Sequence, residues 1–466
     1  MNAHLSIELM KCPSIARTLA DWVTEYGPLV TLRQGSDVIV VIGRVDAATE
    51  IMEKEGAVLV DRPHSVAAGE LLSRGMRILL QSGGKQFRQQ RKILHTYLGP
   101  KAVESYRHVQ FDSARNVIVD VLNDPRHHQE HAKRYAASVV LRVTYGKSTP
   151  TSFDDPEFVR IRQALAHFQI VMRPGAHLVD RIPLLKYIPG YGSRIKLWHQ
   201  FELKLYREQL DRVKREMVTD EGHGSKSLAK ALLENADEHR LSTDEMAYFA
   251  GTMFGAGTDT TGIGISTMIM AAACHSEAQA RVQEELDMVV GMGRIPTWED
   301  SEALPQLHAF IWEALRWRPI IPIGFLHRAS SDVIWRDQCI PAGATVLGCH
   351  WAISRDPVAF PEPERFNPQR WFDKDGQLRR QVYSYTYGFG RRICPGQNLA
   401  NQSLYINLAL LLWSFRIAQR PDAPIDTDKF MDAILAHAAP FEVNFLPRME
   451  ESRLREMMEK SSTSRL

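Results

Sequence analysis

YGFGRRICPG, residues Tyr387 to Gly396, is the stretch on which the reading of this chain turns. One cysteine, Cys394, stands among three glycines, two arginines and a proline. Pro395 suits the first turn of a following helix. The thiol is therefore expected at a helix N-terminus, where free N–H groups and the helix dipole favour an anion. Arg391 and Arg392 add positive charge. Each of these features lowers a thiol pKa, so the stretch predicts a thiolate. Gly388, Gly390 and Gly396 admit positive φ, or a close approach of backbone to something large and flat. Taken alone, the stretch is compatible with a metal-bound thiolate facing a planar ligand, a nucleophilic cysteine or a buried structural cysteine. A nucleophile would need a base, and none stands nearby in sequence.

The rest of the chain narrows the choice. Its 466 residues are 44% hydrophobic and 24% charged, an ordinary globular composition. That length supplies an ample core for one large body. A net charge of +2 makes no demand for nucleic acid or an acidic partner. The five cysteines (Cys12, Cys274, Cys339, Cys349, Cys394) are odd in number and include no CxxC pair. This speaks against a disulfide framework or zinc ribbon and suits a reducing compartment. Glu8, Lys11 and Arg17 interrupt the first twenty residues, so neither an apolar anchor nor a signal-peptide core is expected there.

LVTLRQGSDVIVVIG (Leu29 to Gly43) alternates β-branched and polar residues around Gly35 and predicts a hairpin. KQFRQQRKILHTYLG (Lys85 to Gly99) predicts a basic helix. KLWHQFELKLYREQLDRVKREM (Lys196 to Met217) repeats apolar residues at helical spacing. EGHGSKS (Glu221 to Ser227) is a polar break. Ser242 and Glu245 form a capping box that opens a long helix, Thr243 to Cys274. It would span about 48 Å at 1.5 Å per residue and, being apolar on several faces, should cross the centre of the molecule. PEPERFNPQRWFDKDGQLRR (Pro361 to Arg380) reads as an ordered meander, and NLANQSLYINLALLLWSF (Asn398 to Phe415) as a buried helix. The charged tail after Pro447 is expected to fray.

Three further features carry chemistry. AGTDTT (Ala256 to Thr261) lies inside the long helix, where a glycine and threonines are poor choices. The threonine hydroxyls are expected to bond back to earlier carbonyls. Asp259 is a charge in an apolar helix, and a buried carboxylate needs a partner or a task; it reads equally as part of a polar surface stripe. Glu313 and Arg316 of EALR share a helix face. Their bulky apolar flanks suggest a buried pair that needs a third partner, for which PERF offers Arg365. Arg91, Arg328 and Arg392 are scattered guanidinium groups of the kind that bind carboxylates bidentately.

AGTDTT, EALR, PERF and YGFGRRICPG, in that chain order, resemble the A/G-G-x-D/E-T-T, E-x-x-R, P-E-R-F and F-G-x-G-R-x-C-x-G motifs of the cytochrome P450 superfamily. The resemblance runs from the Tyr26 hairpin to Pro447. It implies a mainly α fold with a small β-rich lobe, in which haem lies between the long central helix and the helix after Cys394. It implies that Cys394 is the axial thiolate of a b-type haem iron, with Gly396 letting the next helix pass close. Arg392, Arg328 and Arg91 are implied to hold haem propionates. Glu313, Arg316 and Arg365 are implied to form a structural triad. Asp259 and Thr260 are implied to deliver protons to dioxygen, with Gly257 leaving room for it. By analogy Met253, Phe254, Ile323, Phe325 and Leu435 wall a pocket for a hydrophobic substrate.

The implied reaction is insertion of one atom of O2 into an organic substrate. Electrons are expected from NADPH through a separate reductase that docks near Arg88, Arg91 and Lys92, because the chain has no flavin or nicotinamide fingerprint. A haem-thiolate isomerase or dehydratase, and a haem sensor without turnover, are the alternatives; the intact Asp259–Thr260 pair disfavours both. Tyr387 and Phe87 depart from the family's usual Phe and Trp. AGELLSRGMRILL and LVDRIPLLKYIPGYG resemble fungal members that tailor secondary metabolites. The expected organisation is an N-terminal segment (1–25) lacking the usual membrane anchor, a monooxygenase domain (26–447) and a flexible tail (448–466). The resemblance points to the cytosolic face of the endoplasmic reticulum, although no transmembrane segment is read from the sequence.

Overall fold

The structure is a computed structural model that describes residues 14–460, except 36, 148–151, 174, 220–226, 380–383 and 431–433. Most of the polar break at 221–227 lies outside the described residues. The elements used below are, in chain order, α1 (Ile15–Tyr26), β1 (Leu29–Gln34), β2 (Asp37–Ile42), α2 (Lys85–Leu98), α3 (Arg107–Asn123), α4 (His128–Tyr145), α5 (Pro156–Met172), α6 (Ser193–Val218), α7 (Thr243–Cys274), α8 (Pro305–Trp317), β3 (His327–Arg328), β4 (Val333–Trp335), β5 (Gln338–Ile340), β6 (Thr345–Gly348), α9 (Gln397–Ser414), β7 (Phe415–Gln419), β8 (Val443–Pro447) and α10 (Glu451–Lys460).

The long helix α7 has the predicted bounds, and its start is fixed by the predicted capping box. Ser242 Oγ accepts the Glu245 N–H at 3.3 Å, and the Ser242 N–H donates to the Glu245 carboxylate at 2.9 Å. Nearly every side chain from Met246 to Ala273 is buried, so the helix runs through the core and packs on α4, α6 and α9. The mid-helix glycines, weak helix formers, permit this crowding. A Cβ at Gly251 would lie 2.1 Å from the Tyr206 ring of α6, and one at Gly257 2.5 Å from Val140 of α4. The hydroxyls bond back one turn as expected: Thr252 to Tyr248 O, Thr258 to Phe254 O and Thr260 to Ala256 O, at 2.8, 2.7 and 2.8 Å.

The β-rich lobe is a four-stranded sheet of order β1-β2-β6-β3. The hairpin pairs Leu29 with Ile42 and Gln34 with Asp37, and β6 joins β2 in parallel from Ile39 and Thr345. Leu19 and Val23 of α1 are buried against Val30, Val41 and Leu347 of this sheet. The packed body thus includes α1, upstream of residue 26. The far end needs a correction. Residues 451–460 form α10, whose Leu454 and Met458 are buried in the main core; this apolar pair, four residues apart, turns a charged segment into an amphipathic helix. No described helix is long and apolar enough to cross a membrane.

Candidate active site

The Cys394 loop is built by its glycines. Gly388 and Gly390 have φ of 84° and 50°, a region open to glycine at little cost. At Gly390 a Cβ would also meet Met52 O at 2.8 Å. The turn closes when the Cys394 N–H donates to Tyr387 O at 2.8 Å. Arg91 of α2 braces it from outside, donating to Ile393 O at 2.8 Å. The regular helix α9 starts two residues beyond Pro395, so the thiol sits in the turn before it. Tyr387, the unusual residue of the stretch, directs its hydroxyl to Asn401 Oδ1 of α9 at 2.6 Å.

The electrostatics correct one expectation. Burial pushes the Cys394 thiol up, and the pull of the Gly396 N–H and of Arg91 does not reverse it. The arginine that lowers it is Arg91, not the adjacent Arg391 and Arg392 of the expectation, and desolvation outweighs it.

Cys394, Pro395 and Gly396 floor a cavity of about 330 Å³ between α7 and α9. Its walls are largely apolar, and no Asp or Glu is among the described residues that line it. Arg62, Arg91 and Arg392 stand on it together with His327. Arg62 is buried and donates to Leu79 O and Leu326 O at 3.1 and 2.5 Å. Arg392 donates to Val60 O at 2.6 Å, and its guanidinium lies 3.8 Å from the centroid of the Phe87 ring. Burial, reinforced by Arg392, holds Arg62 down to about 9. Burial also holds Arg392 down to about 10, with Asp61 offsetting part of the effect and Arg91 adding to it. Burial and Arg62 lower His327 to about 3. The site is thus a partly buried cationic rim, with no carboxylate among the described cavity-lining residues, above an apolar hollow with a sulfur at its base. A flat apolar molecule with carboxylates at one edge and a metal at its centre suits this arrangement. Gly396 fits as well, because the nearest atom to a Cβ there would be Cys394 Sγ at 3.8 Å.

Of the remaining predicted residues, Thr260, Gly257, Met253, Phe325 and Leu435 line the cavity. Asp259 is buried beside it, and its Oδ2 lies 3.2 Å from Gln169 Nε2 and 3.1 Å from His437 Nε2. Four assignments fail. Arg328 is exposed on β3, and the neighbouring His327 faces the cavity instead, since adjacent strand residues point to opposite faces. Phe254 is fully buried away from the cavity, edge-on to Tyr145 with ring centroids 6.1 Å apart. Ile323 packs against the small-lobe core. Arg365 is exposed, and its ion pair is with Glu362 at 3.4 Å.

The third partner of Glu313 is Arg370. Glu313 and Arg316 are both wholly buried and joined twice at 2.8 Å. The Glu313 carboxylate further accepts Arg370 Nε at 3.1 Å, Trp371 Nε1 at 3.0 Å and the Asn367 N–H at 2.7 Å. PERFNPQRW carries Pro-x-Arg-aromatic twice, five residues apart, and the second copy is the buried one. That repeat was the available signal. Arg62 had none beyond its residue type.

The family model described as Cytochrome P450 matches residues 11–445. The chain belongs to the cytochrome P450 family. It is 47% identical over 435 residues to cytochrome P450 monooxygenase 64 of Postia placenta, covering 93% of this chain and 88% of that one. It is 32% identical over 458 residues to a cytochrome P450 monooxygenase of Armillaria gallica, covering 94% of this chain and 86% of the other. A solved zebrafish cytochrome P450 with progesterone superposes at a TM-score of 0.78 with 24% identity, covering 94% of this chain and all of that one, which shows the shared fold. This P450 is a monooxygenase, an oxidoreductase of the haem-iron class. The family implies haem, and the cationic rim, the hollow and the sulfur fit it.

Proposed function

We propose that this P450 inserts one atom of O2 into a small hydrophobic organic molecule, with electrons from NADPH through a separate reductase. The observation that carries the reading is the cluster of buried Arg62 with half-buried Arg91 and Arg392 near the Cys394 sulfur, on an otherwise apolar cavity with no carboxylate among its described lining residues. Haem b, when bound, supplies dioxygen activation. Cys394 Sγ would ligate its iron, and the three arginines with His327 would hold its propionates. Glu313, Arg316 and Arg370 brace the core beside it.

Thr260, on the cavity wall, and Asp259, one residue earlier, handle protons. The Thr260 hydroxyl donates to Ala256 O, which leaves its oxygen lone pairs free to accept from water in the cavity. The apolar walls, Met253, Phe325 and Leu435 among them, exclude bulk water and favour an apolar skeleton. Arg88 and Lys92 are exposed on α2 and suit a reductase with an acidic face, whereas Arg91 is turned inward. The fungal relatives support a place in secondary metabolism.

Reducing the purified protein and adding CO tests the ligand. A strongly red-shifted Soret band is expected; a histidine-type band from folded protein refutes Cys394 ligation. T260A is expected to divert reducing equivalents from product to hydrogen peroxide, and unchanged coupling refutes its role.

A further inference from the structure

Asp259 differs in its partner from the buried carboxylates that form ion pairs; Glu285 and Asp356 are held by backbone N–H groups instead. Glu202 is paired with Arg77 at 2.9 Å, Glu313 with Arg316 and Arg370, and Asp300 with Arg294 at 2.5 Å. Arginine does not release its proton. Among the described residues, the ionisable partner of Asp259 is His437, with side chains 10% and 12% exposed and Nε2 and Oδ2 3.1 Å apart. The other group on that oxygen, from α5, is the neutral Gln169, which also lines the cavity. An arginine would hold Asp259 permanently ionised. An imidazole can charge, neutralise and charge again near neutral pH.

The placement of His437 is itself fixed. The Ala436 N–H donates to Ile320 O at 2.9 Å, and the Ala439 N–H to Lys429 O at 2.9 Å. The loop so pinned also presents Leu435 to the cavity. A ring on a pinned loop, 3.1 Å from a buried carboxylate, is held for that carboxylate.

We propose that His437 is the positioning residue that reloads Asp259 with protons, an inference that rests on the proton-handling reading of Asp259 and Thr260. In the step, the Nε2–H bond of the imidazolium breaks and an Oδ2–H bond forms. This leaves neutral imidazole and neutral carboxyl; the carboxyl passes its proton on through cavity water toward Thr260, and a proton from bulk solvent restores the imidazolium. The sign follows. Below the histidine's titration midpoint the donor is charged and delivery is efficient; above it, delivery fails and peroxide release rises.

Two measurements test this. In the first, the histidine ring is followed by 15N NMR against pH in the haem-loaded protein, with its signal assigned by H437Q. D259N is expected to change the pH response of that signal, through loss of the adjacent carboxylate. The second uses dioxygen as the probe, with reductase, NADPH and no organic compound added. The fraction of NADPH electrons leaving as hydrogen peroxide rather than water is measured from pH 6 to 8.5. It is expected to rise in the wild type around the His437 midpoint, and to be high and flat in H437Q, which keeps a hydrogen-bond donor but does not titrate. Superimposable profiles for wild type and H437Q, or an unchanged pH response of the ring signal in D259N, overturn the proposal. If T260A alters the partition while H437Q does not, only the histidine's role falls. If neither does, the reading of the pair falls with it.

Discussion

The reassignment of the third brace residue makes a quantitative prediction. Arg370, with 8% of its side chain exposed, gives Nε to Glu313 and its two remaining nitrogens to Pro361 O, Glu362 O and Arg365 O, at 2.7, 3.2 and 3.0 Å. In R370M the charge-assisted bond to a wholly buried carboxylate is lost, a loss of about 1.5–3 kcal/mol. The three carbonyls lie in exposed backbone and are rehydrated, adding under about 1 kcal/mol. Glu313 keeps Arg316, so the larger penalty for a fully unpaired buried charge, about 3–5 kcal/mol, is not reached. The net expectation is about 2–4 kcal/mol. R365M removes one exposed ion pair and is expected to cost about 0–0.5 kcal/mol. Urea unfolding followed by circular dichroism, with haem retention read in parallel, compares the two. In an E313Q background the cost of R370M is expected to shrink by at least about 1 kcal/mol, the sign of a direct coupling. An R365M cost equal to that of R370M, or an R370M cost below about 0.5 kcal/mol, refutes the assignment.

Other outcomes follow from the same structure. F254A, in the core against Tyr145, is expected to lose about 3–5 kcal/mol of stability with little change in apolar-ligand affinity. M253A, on the cavity wall, is expected to do the reverse when ligand-induced spectral shifts and urea midpoints are compared. L454A on α10, at a fully buried position, is expected to cost about 2–4 kcal/mol, where a frayed tail would cost nothing measurable by the same urea titration. His327, held down to about 3, and His128 and His350, held down to about 4, are kept neutral chiefly by burial. Their folded values lie below the unfolded one, so their contribution is complete above pH ~6.5 and is lost as pH falls toward 4. Each is expected to cost about 1 kcal/mol per pH unit in that window, read as urea midpoints at pH 7.5 and 5.5.

What the sequence made legible, and what it did not, divides along one physical line. Helix α7 was readable to the residue because its cap and its composition are local. The motif order and the Cys394 turn were readable for the same reason, since glycine conformation and helix caps act over a few residues. The errors at the site all concern which way a side chain points or what surrounds it. On α7, Met253 and Phe254 are both apolar on a helix buried on nearly every side, so no periodicity tells wall from core. On β3, a slip of one residue exchanges His327 for Arg328 and inverts the face. In PERFNPQRW both arginines satisfy the same pattern. The choice falls to the Asn367-capped turn of Pro368–Trp371, which aims Arg370 and Trp371 at Glu313. The thiol shows the limit most clearly. Charge and dipole are written near Cys394 in the sequence, but desolvation arises only from burial in the folded chain, and it wins. The same reasoning applies to the cationic rim. Arg62, Arg91 and Arg392 come from three separate segments, each unremarkable as a surface charge. Their meaning appears only when folding brings them to one cavity with no carboxylate among its described lining residues. A fold that assembles such a rim leaves its positive charge to be balanced by whatever the cavity binds.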